Sequence, residues 1–344
     1  MKHWGKALFG IAVTVLLLWW ALKDVSIAEV WSHIREGNLL LLLAAVTVGT
    51  SGYLIRAMRW KVLLAPVKPD TSLRSRFAGL SIGFMANNIM PARVGEVVRA
   101  YAFSRLEPVT ASAAFGSLVV ERLLDGVVLL LYLVLAIASP GFPGGEALSE
   151  GWVVRGAILL VAGVVAVVIM MAAWPRKLVR LVEWVGARLP EKLGGPLVRG
   201  VETFLEAIAI IRDPKLLFLG FAWTLGFWAF HAISFWLGMM AFGIHTGYVS
   251  AVFVSSVVAF GVAVPAAPGF IGTFHASAKF ALSDVYGVAE PSSLAFAFGY
   301  HFGGWIPITL IGLWYAWRLG LSMGDVGAAE EEAHELPAHL VEEG

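Results

Sequence analysis

The sequence predicts an all-α, polytopic integral membrane protein with about six full spans and two oppositely oriented re-entrant helical hairpins, arranged as an inverted repeat. Three observations lead there. Of 344 residues, 59% are hydrophobic and only 14% charged, where a soluble domain carries about a quarter charged residues; the mean hydropathy is +0.80. Apolar runs of about 18 residues or more, enough to cross ~30 Å of hydrocarbon, recur along the chain. Two apolar segments are instead short or broken by proline, and they fall in opposite halves, which is the sequence pointer to an inverted-repeat transporter.

The elements follow in order. Leu8 to Leu22 comes after a basic start, but Trp19-Trp20-Ala21-Leu22-Lys23-Asp24 has no small-x-small cleavage pattern, so it reads as an uncleaved first helix. A second segment, Asn38 to Leu64, ends in Arg56, Arg59 and Lys61, and a polar stretch, Lys68 to Arg76, follows. Phe77 to Met90 is apolar but too short to span, and Pro91 to Leu106 is a mixed helix; together, 77–106 form the first hairpin. Val109 to Ser139 is a long apolar stretch interrupted by Glu121, Arg122 and Asp125. After a Pro/Gly loop come a span, Trp152 to Trp174, and a charged amphipathic stretch, 175–214. Lys215 to Phe242 spans again. The second hairpin, 248–285, breaks at Pro265-Ala266-Ala267-Pro268-Gly269, and Ser292 to Trp317 is the last span. Residues 1–320 thus read as one membrane domain, and 321–344 as an acidic tail with too little apolar content to fold.

Lysine and arginine set the orientation. With the amino terminus inside and both broken segments treated as hairpins, only Lys23, Arg35 and Arg155 fall outside, and Arg122 and Lys279 lie within the membrane, of 25 Lys and Arg. The expectation is a multi-pass protein of the inner (cytoplasmic) membrane with both termini cytoplasmic.

Charges inside apolar runs are the candidate functional groups. A charge at the bilayer centre costs ~2.5–3.5 kcal/mol or more, so it must face a partner or a wet cavity. Glu121 and Asp125 are four apart and share a helix face, with Arg122 one residue round. They line a transport path, or they only pin helices together, and the two roles are compatible. In Asn87-Asn88-Ile89-Met90-Pro91-Ala92-Arg93-Val94-Gly95-Glu96, Pro91 suits a first helical turn. That helix start would lie within the membrane, where free N–H groups attract an anion. Arg93 adds bidentate phosphate geometry, and Glu96 and Arg99, three apart, can pair with each other. The plainer reading is a cytoplasmic turn and surface helix. At the second break, Pro265, Pro268 and Gly269 end one helix and open another. Gly272, His275, Lys279 and Ser283 then fall near one face. Lys279 contacts a lipid phosphate or neutralises a buried carboxylate. His275, His231 and His301 read more simply as hydrogen-bonded packing residues. Arg56 and Arg59 at a helix end most simply snorkel to headgroups; contact with a substrate headgroup is the sharper alternative.

Taken in order, Arg56-Ala57-Met58-Arg59-Trp60-Lys61-Val62-Leu63-Leu64, then Asn88 to Tyr101, then Glu121-Arg122-Leu123-Leu124-Asp125, then Pro268-Gly269-Phe270-Ile271-Gly272, resemble successive signatures of one family. It is the transmembrane flippase region of bacterial lysyl-phosphatidylglycerol synthases (multiple peptide resistance factor) with the related standalone flippase-like proteins. The resemblance covers the chain up to the acidic tail. It implies two re-entrant hairpins around a lipid cavity and movement of anionic, aminoacylated or glycosylated lipids between leaflets. It carries substrate-path roles to Arg59, Asn88, Arg93, Glu96, Arg99, Glu121, Arg122 and Asp125, to which His275 and Lys279 are added as candidates. Pro91, Gly95, Pro265, Pro268, Gly269 and Gly272 would shape the hairpins. One departure is that only about twenty-five polar residues follow Trp317, where the bifunctional members append a soluble synthase domain. Aminoacyl transfer is therefore not expected.

The leading expectation is a lipid flippase or facilitator, not an enzyme. With no cysteine, no metal-ligand spacing and no Walker A pattern, neither cofactor, metal site nor ATP-driven pumping is expected. Expected partners are the bilayer and a lipid with a phosphate-bearing headgroup, with a second copy or a lipid-synthesis enzyme as protein candidates, and no nucleic acid. The alternatives are a membrane enzyme modifying a phospholipid or lipid-linked sugar, and a non-transporting scaffold of a lipid-synthesis complex. The residues themselves predict that Arg93→Ala and Glu121→Gln abolish lipid exchange and leave expression intact.

Overall fold

The computed structural model describes residues 2–90, 94–143, 213–264 and 267–321, with side chains from Gly10 on, and the isolated positions Leu159, Gly163, Arg180 and Trp184. Pro91, Arg93, Pro265, nearly all of the expected span 152–174 and of 175–214, and the acidic tail after Leu321 lie outside the described residues. The described chain is helical throughout. In order, the helices are α1 (Lys2–Leu22), α2 (Ile27–Glu36), α3 (Leu39–Leu64), α4 (Leu73–Ile89), α5 (Gly95–Ser104), α6 (Ala111–Ile137), α7 (Pro214–Ala241) and α8 (Tyr248–Gly261). A 3-10 turn (Pro268–Phe270), α9 (Thr273–Lys279), a π-helical turn (Phe280–Val285) and α10 (Glu290–Arg318) complete it.

Several helix starts are written in the sequence as short polar side chains that accept a backbone N–H ahead of an apolar run. Asn38 accepts from Leu41 N (3.1 Å), Ser72 from Ser75 N (2.9 Å), Thr110 from Ala113 N (3.3 Å) and Asp213 from Lys215 N (2.8 Å). Asp213 is followed by Pro214, whose missing N–H is not needed at that position. Helix α4 begins at Leu73, inside the stretch the sequence marks as a polar connection, because Ser72 starts it there.

Among the described residues, three helices, α3, α7 and α10, are long and apolar enough to cross a membrane; α1 and α2, bent by 81°, make up to four. The composition and these helices identify a membrane protein. Helix α6 is of similar length, 27 residues, but carries Glu121, Arg122 and Asp125. The exposed stripe of α10 is apolar: Phe302, Ile306, Leu310, Leu313, Trp314 and Trp317 are all exposed, spaced at about a helical turn. The short α2, missed as a helix by hydropathy, exposes Ile27 and Trp31 on one face and buries Val30 on the other.

The centre of the fold is the pair α3 and α7, with α10 packed against it. Small residues let these backbones approach, since water-driven hydrophobic association is absent in lipid and close packing replaces it. Ser234 Oγ donates to Ala45 O (2.7 Å) and lies 2.7 Å from the Tyr300 hydroxyl. A Cβ on Gly49 would meet Ser234 Oγ at 2.8 Å, and one on Gly238 would meet the Tyr300 ring at 2.6 Å.

The loops around α4 and α5 are pinned by Glu107. Its carboxylate accepts from Ser72 N (2.9 Å) and from Lys68 Nζ (3.1 Å). Burial works against its ionisation, but the Ser72 N–H, the Ser75 hydroxyl and Lys68 outweigh burial and hold the carboxyl below its ordinary value. A depressed folded value means stability that is present above the unfolded pKa and lost as pH falls through the folded one. Glu107→Gln is therefore expected to lower the melting temperature in detergent at neutral pH. The gap from wild type should close as the pH drops below the ordinary glutamate value of 4.5; a gap that persists under acid would assign the effect to packing.

Candidate functional site

The site grows from α6. Ten residues from the helix start at Ala111, Glu121 lies about 15 Å along it at 1.5 Å per residue. A fully buried carboxylate at that depth needs compensation, and four arginines converge on it. Arg99 of α5 makes a two-pronged pair, Nη1 to Oε1 at 3.1 Å and Nη2 to Oε2 at 3.0 Å. Arg59 of α3 places Nη2 2.9 Å from Oε1. Arg122 Nη2 donates to Oε1 at 2.8 Å, and Arg56 Nη1 stands at 3.8 Å.

Asp125, one turn on, accepts from Arg59 Nη1 at 2.5 Å and from the indole Nε1 of Trp228 on α7 at 3.0 Å. Arg122 Nη1 lies 3.6 Å from its other oxygen. Thr224, one turn before Trp228 on the same face, accepts a second bond from Arg59 Nη1 (3.2 Å) and donates its own hydroxyl to Gly220 O (2.7 Å). Aromatic rings complete the shell. The Arg99 guanidinium sits 3.9 Å from the Trp60 ring, whose Nε1 is anchored on Ser117 Oγ at 2.8 Å. Arg56 stands 4.4 Å from Phe227 and 5.3 Å from Phe84, close enough for cation–π attraction.

Among the described residues of the cluster, four positive charges thus meet two negative ones. Glu96, half-buried, joins Arg99 and Arg122 along a narrow pocket with Gly83, Phe84, Asn87 and Gly95. Even with Glu96 counted, one positive charge is in excess. Arg59, Arg99 and Glu121 are sealed in, whereas the Arg122 side chain is 43% accessible. Arg56, though buried, makes no hydrogen bond through Nη1. The excess therefore faces outward through Arg122, with Arg56 behind it. Neither carboxylate is free to act as a base.

Several expectations change. Arg56 and Arg59 do not snorkel; the carboxylates of α6 draw them inward. Glu96 and Arg99 do not pair: Arg99 is taken by Glu121, and Glu96 Oε2 instead accepts from Asn87 Nδ2 at 3.4 Å. Asn87 also caps α5 by accepting Gly95 N (2.8 Å). Lys279 reaches neither buried acid. Its Nζ pairs with Glu290 at 2.9 Å and donates to Ala21 O at 3.2 Å, tying α9 to α1 and α10. His275 lies with it, away from the arginine cluster. Asn88 donates to Thr309 Oγ1 (2.8 Å), and a Cβ on Gly269 would lie 3.3 Å from Asn88 O, so the end of α4 touches the 3-10 turn after α8. Pro268 opens that turn, and Gly272 precedes α9. Thr224 and Trp228 were missed by sequence reasoning; their i,i+4 spacing on an apolar helix was the available signal.

The family model described as Lysylphosphatidylglycerol synthase TM region matches residues 7–312. Among curated relatives, a UPF0104 membrane protein of Pyrococcus horikoshii is 26% identical over 139 residues, 40% of each chain. One of Methanocaldococcus jannaschii is 32% identical over 104 residues, 29% of this chain and 31% of that one. A protein of Haloferax volcanii named Glycosyltransferase AglD is 25% identical over 316 residues, 84% of this chain and 50% of that one. The chain therefore spans half or less of the length of these relatives.

Proposed function

The chain belongs to the Lysylphosphatidylglycerol synthase TM region family, a family of membrane proteins tied to lipid, and from that premise we propose that it moves a lipid with an anionic headgroup between leaflets. The observation that carries the reading is the charge balance of the α3/α5/α6/α7 cluster: more arginine than carboxylate within an apolar bundle, with the surplus presented on Arg122. A phosphate is the natural complement, since guanidinium and phosphate oxygens form paired, charge-assisted bonds. The acyl or prenyl tails stay in the bilayer. In this reading the cluster faces the cytoplasmic leaflet, because Lys61, Lys68, Arg74 and Arg76 follow Arg59 closely. The pairs α4/α5 and α8/α9 act as the two re-entrant hairpins whose tips meet at Asn88 and Gly269.

The alternative is lipid chemistry, favoured by the name of the Haloferax protein alone. At this cluster both acids are saturated by arginine, which leaves no general base, so transport is preferred. Purified protein in liposomes with fluorescent phosphatidylglycerol separates the two. Exchange between leaflets of unaltered lipid supports transport, and a new lipid product supports the enzyme. Arg122→Ala is expected to slow exchange of the anionic lipid about tenfold, the equivalent of ~1.4 kcal/mol. Its melting temperature should change little, because a partly solvated charge contributes ~1 kcal/mol or less to stability. Undiminished exchange in Arg122→Ala would remove the cluster from the lipid path.

A further inference from the structure

Helix α1 packs chiefly on α9 and is pinned there at two levels. Thr14 donates to Ile271 O (3.1 Å) and accepts from Ala267 N (2.9 Å), both in the loop before α9. Seven residues on, Ala21 O accepts from Lys279 Nζ (3.2 Å). Positions seven apart on a helix share a face, so both pins act on one side of α1. Between their levels, on the flank beside that face, lies an apolar cleft of about 490 Å³. Leu16, Leu17 and Trp20 border it from α1, Val257 from α8, Ala276 from α9 and Phe280 from the π-helical turn. Gly261 lets α8 and α9 close together here, since a Cβ on it would overlap Ser277 Oγ, which also borders the cleft.

One end of the cleft carries a cation. Trp19 borders the cleft near the point where α1 bends into α2, and Lys23 Nζ stands 5.6 Å from its ring. Lys279 Nζ stands 5.3 Å from the Trp20 ring, but its charge is taken by Glu290 at 2.9 Å. Lys23 pairs with Asp24 at 3.6 Å, and both side chains are exposed. Such a pair holds a charge only weakly, so the Lys23 ammonium is available to another anion.

We propose that this cleft binds one phospholipid as a structural ligand, with a single hydrocarbon chain between α1 and the α8/α9 pair and an anionic headgroup at Lys23. The site is separate from the arginine cluster and does not rest on the transport reading. Its volume falls in the range of built ligand sites, about 300–1,000 Å³. No charged residue lines it, and an apolar cleft holds water poorly, because a buried water needs about 2–4 polar partners. Leu16, on its rim, is exposed together with Ile11 and Val15. That flank meets the hydrocarbon of a bilayer, so a chain enters sideways. Indole rings and lysines gather at headgroup level, which sets Lys23 against a phosphate when the chain lies along α1. The bound chain fills the gap between α1 and α8 and fastens the first helix to the rest of the fold, where the protein itself supplies only the two polar pins and the packing on α9.

The test uses the full chain. Native mass spectrometry of detergent-purified protein with added phosphatidylglycerol should show one lipid that survives the activation that strips loosely held ones. The same lipid should raise the melting temperature of delipidated protein, as a ligand selective for the folded state does. Leu16→Trp, at an exposed position on the rim, and Ala276→Phe, at a buried one, each fill the cleft. Both should lose the retained lipid and the thermal response. If Ala276→Phe does not fold, Leu16→Trp decides, because its side chain starts outside the core. Lys23→Ala should keep the response but need about fivefold more phosphatidylglycerol to reach half of it, the weight of one basic residue facing an anionic lipid. Wild-type protein that retains no lipid and melts at the same temperature with and without it overturns the proposal. So does a Leu16→Trp variant that retains lipid as wild type does. Equal midpoints for Lys23→Ala and wild type overturn the placing of the headgroup.

Discussion

Glu121→Gln should destabilise the protein by about 3–5 kcal/mol, the penalty of stranding a buried charge whose partner is removed. The loss falls on several groups at once, because Glu121 faces Arg56, Arg59, Arg99 and Arg122. The neutral amide accepts through one oxygen where the carboxylate used two, and its NH2 group would point at guanidinium donors. Arg99 suffers most, since Glu121 is its only ion-pair partner among the described residues and its Nε is already without a bond. Thermal unfolding in detergent measures this. The geometry thus replaces the simpler expectation of a dead but well-expressed variant: Glu121→Gln should lose exchange because the cluster no longer assembles, and expression should fall with it. A variant that melts like wild type would mean that Asp125 alone can hold the arginines. The contrast with Arg122→Ala, where the altered charge is partly solvated, separates the groups that build the site from the group that presents it.

Gly95→Ala is expected to be nearly as costly for a different reason. A Cβ there would lie 2.2 Å from Gly83 O and 2.4 Å from the Asn87 carboxamide carbon. The first obstacle is backbone, so α4 and α5 must move apart. Overpacking of this kind costs ~1–3 kcal/mol and sometimes more. The damage also reaches function, because Asn87 caps α5 at Gly95 and Arg99 sits one turn further along the same helix. Displacing that turn weakens the two-pronged bond to Glu121. The expected outcome is a lower melting temperature together with reduced lipid exchange; unchanged values for both would show that the two helices separate freely.

Much of the site was legible because charges are rare inside apolar runs. Glu121, Arg122 and Asp125 stand out in α6 for that reason alone, and the i,i+4 relation of Glu121 and Asp125 places both on one face. Arg59 and Arg99 were marked by the family motifs. Their partners were not, since Arg59 lies near a helix end where snorkelling is the default and Arg99 has Glu96 three residues before it on the same helix. The Glu96–Arg99 pairing inferred from i,i+3 spacing failed because a fully buried, bidentate partner on another helix outcompetes a neighbour on the same one. Lys279 shows the same logic: its partners, Glu290 and the Ala21 carbonyl, come from other helices.

His301 shows the limit most clearly. In sequence it is one histidine in an apolar helix, for which packing is the ordinary explanation. Its distinction is the second imidazole beside it, 26 residues earlier in the chain, and a buried Nδ1 without a partner.

The sequence by itself determined that this is a helical membrane protein of one family, where several of its helices are capped and which residues carry charge into the apolar layer. These follow from run length, capping residues and composition, all local along the chain. Only the tertiary structure decided which charges neutralise one another, that arginine is left in excess and faces out at Arg122, and that His275 and His301 stand side by side. The reason is distance along the chain. Arg59 meets Asp125 across 66 residues, and Trp228 meets it across 103, so those contacts depend on how helices cross, and crossing is set by small residues and packing that no single segment contains.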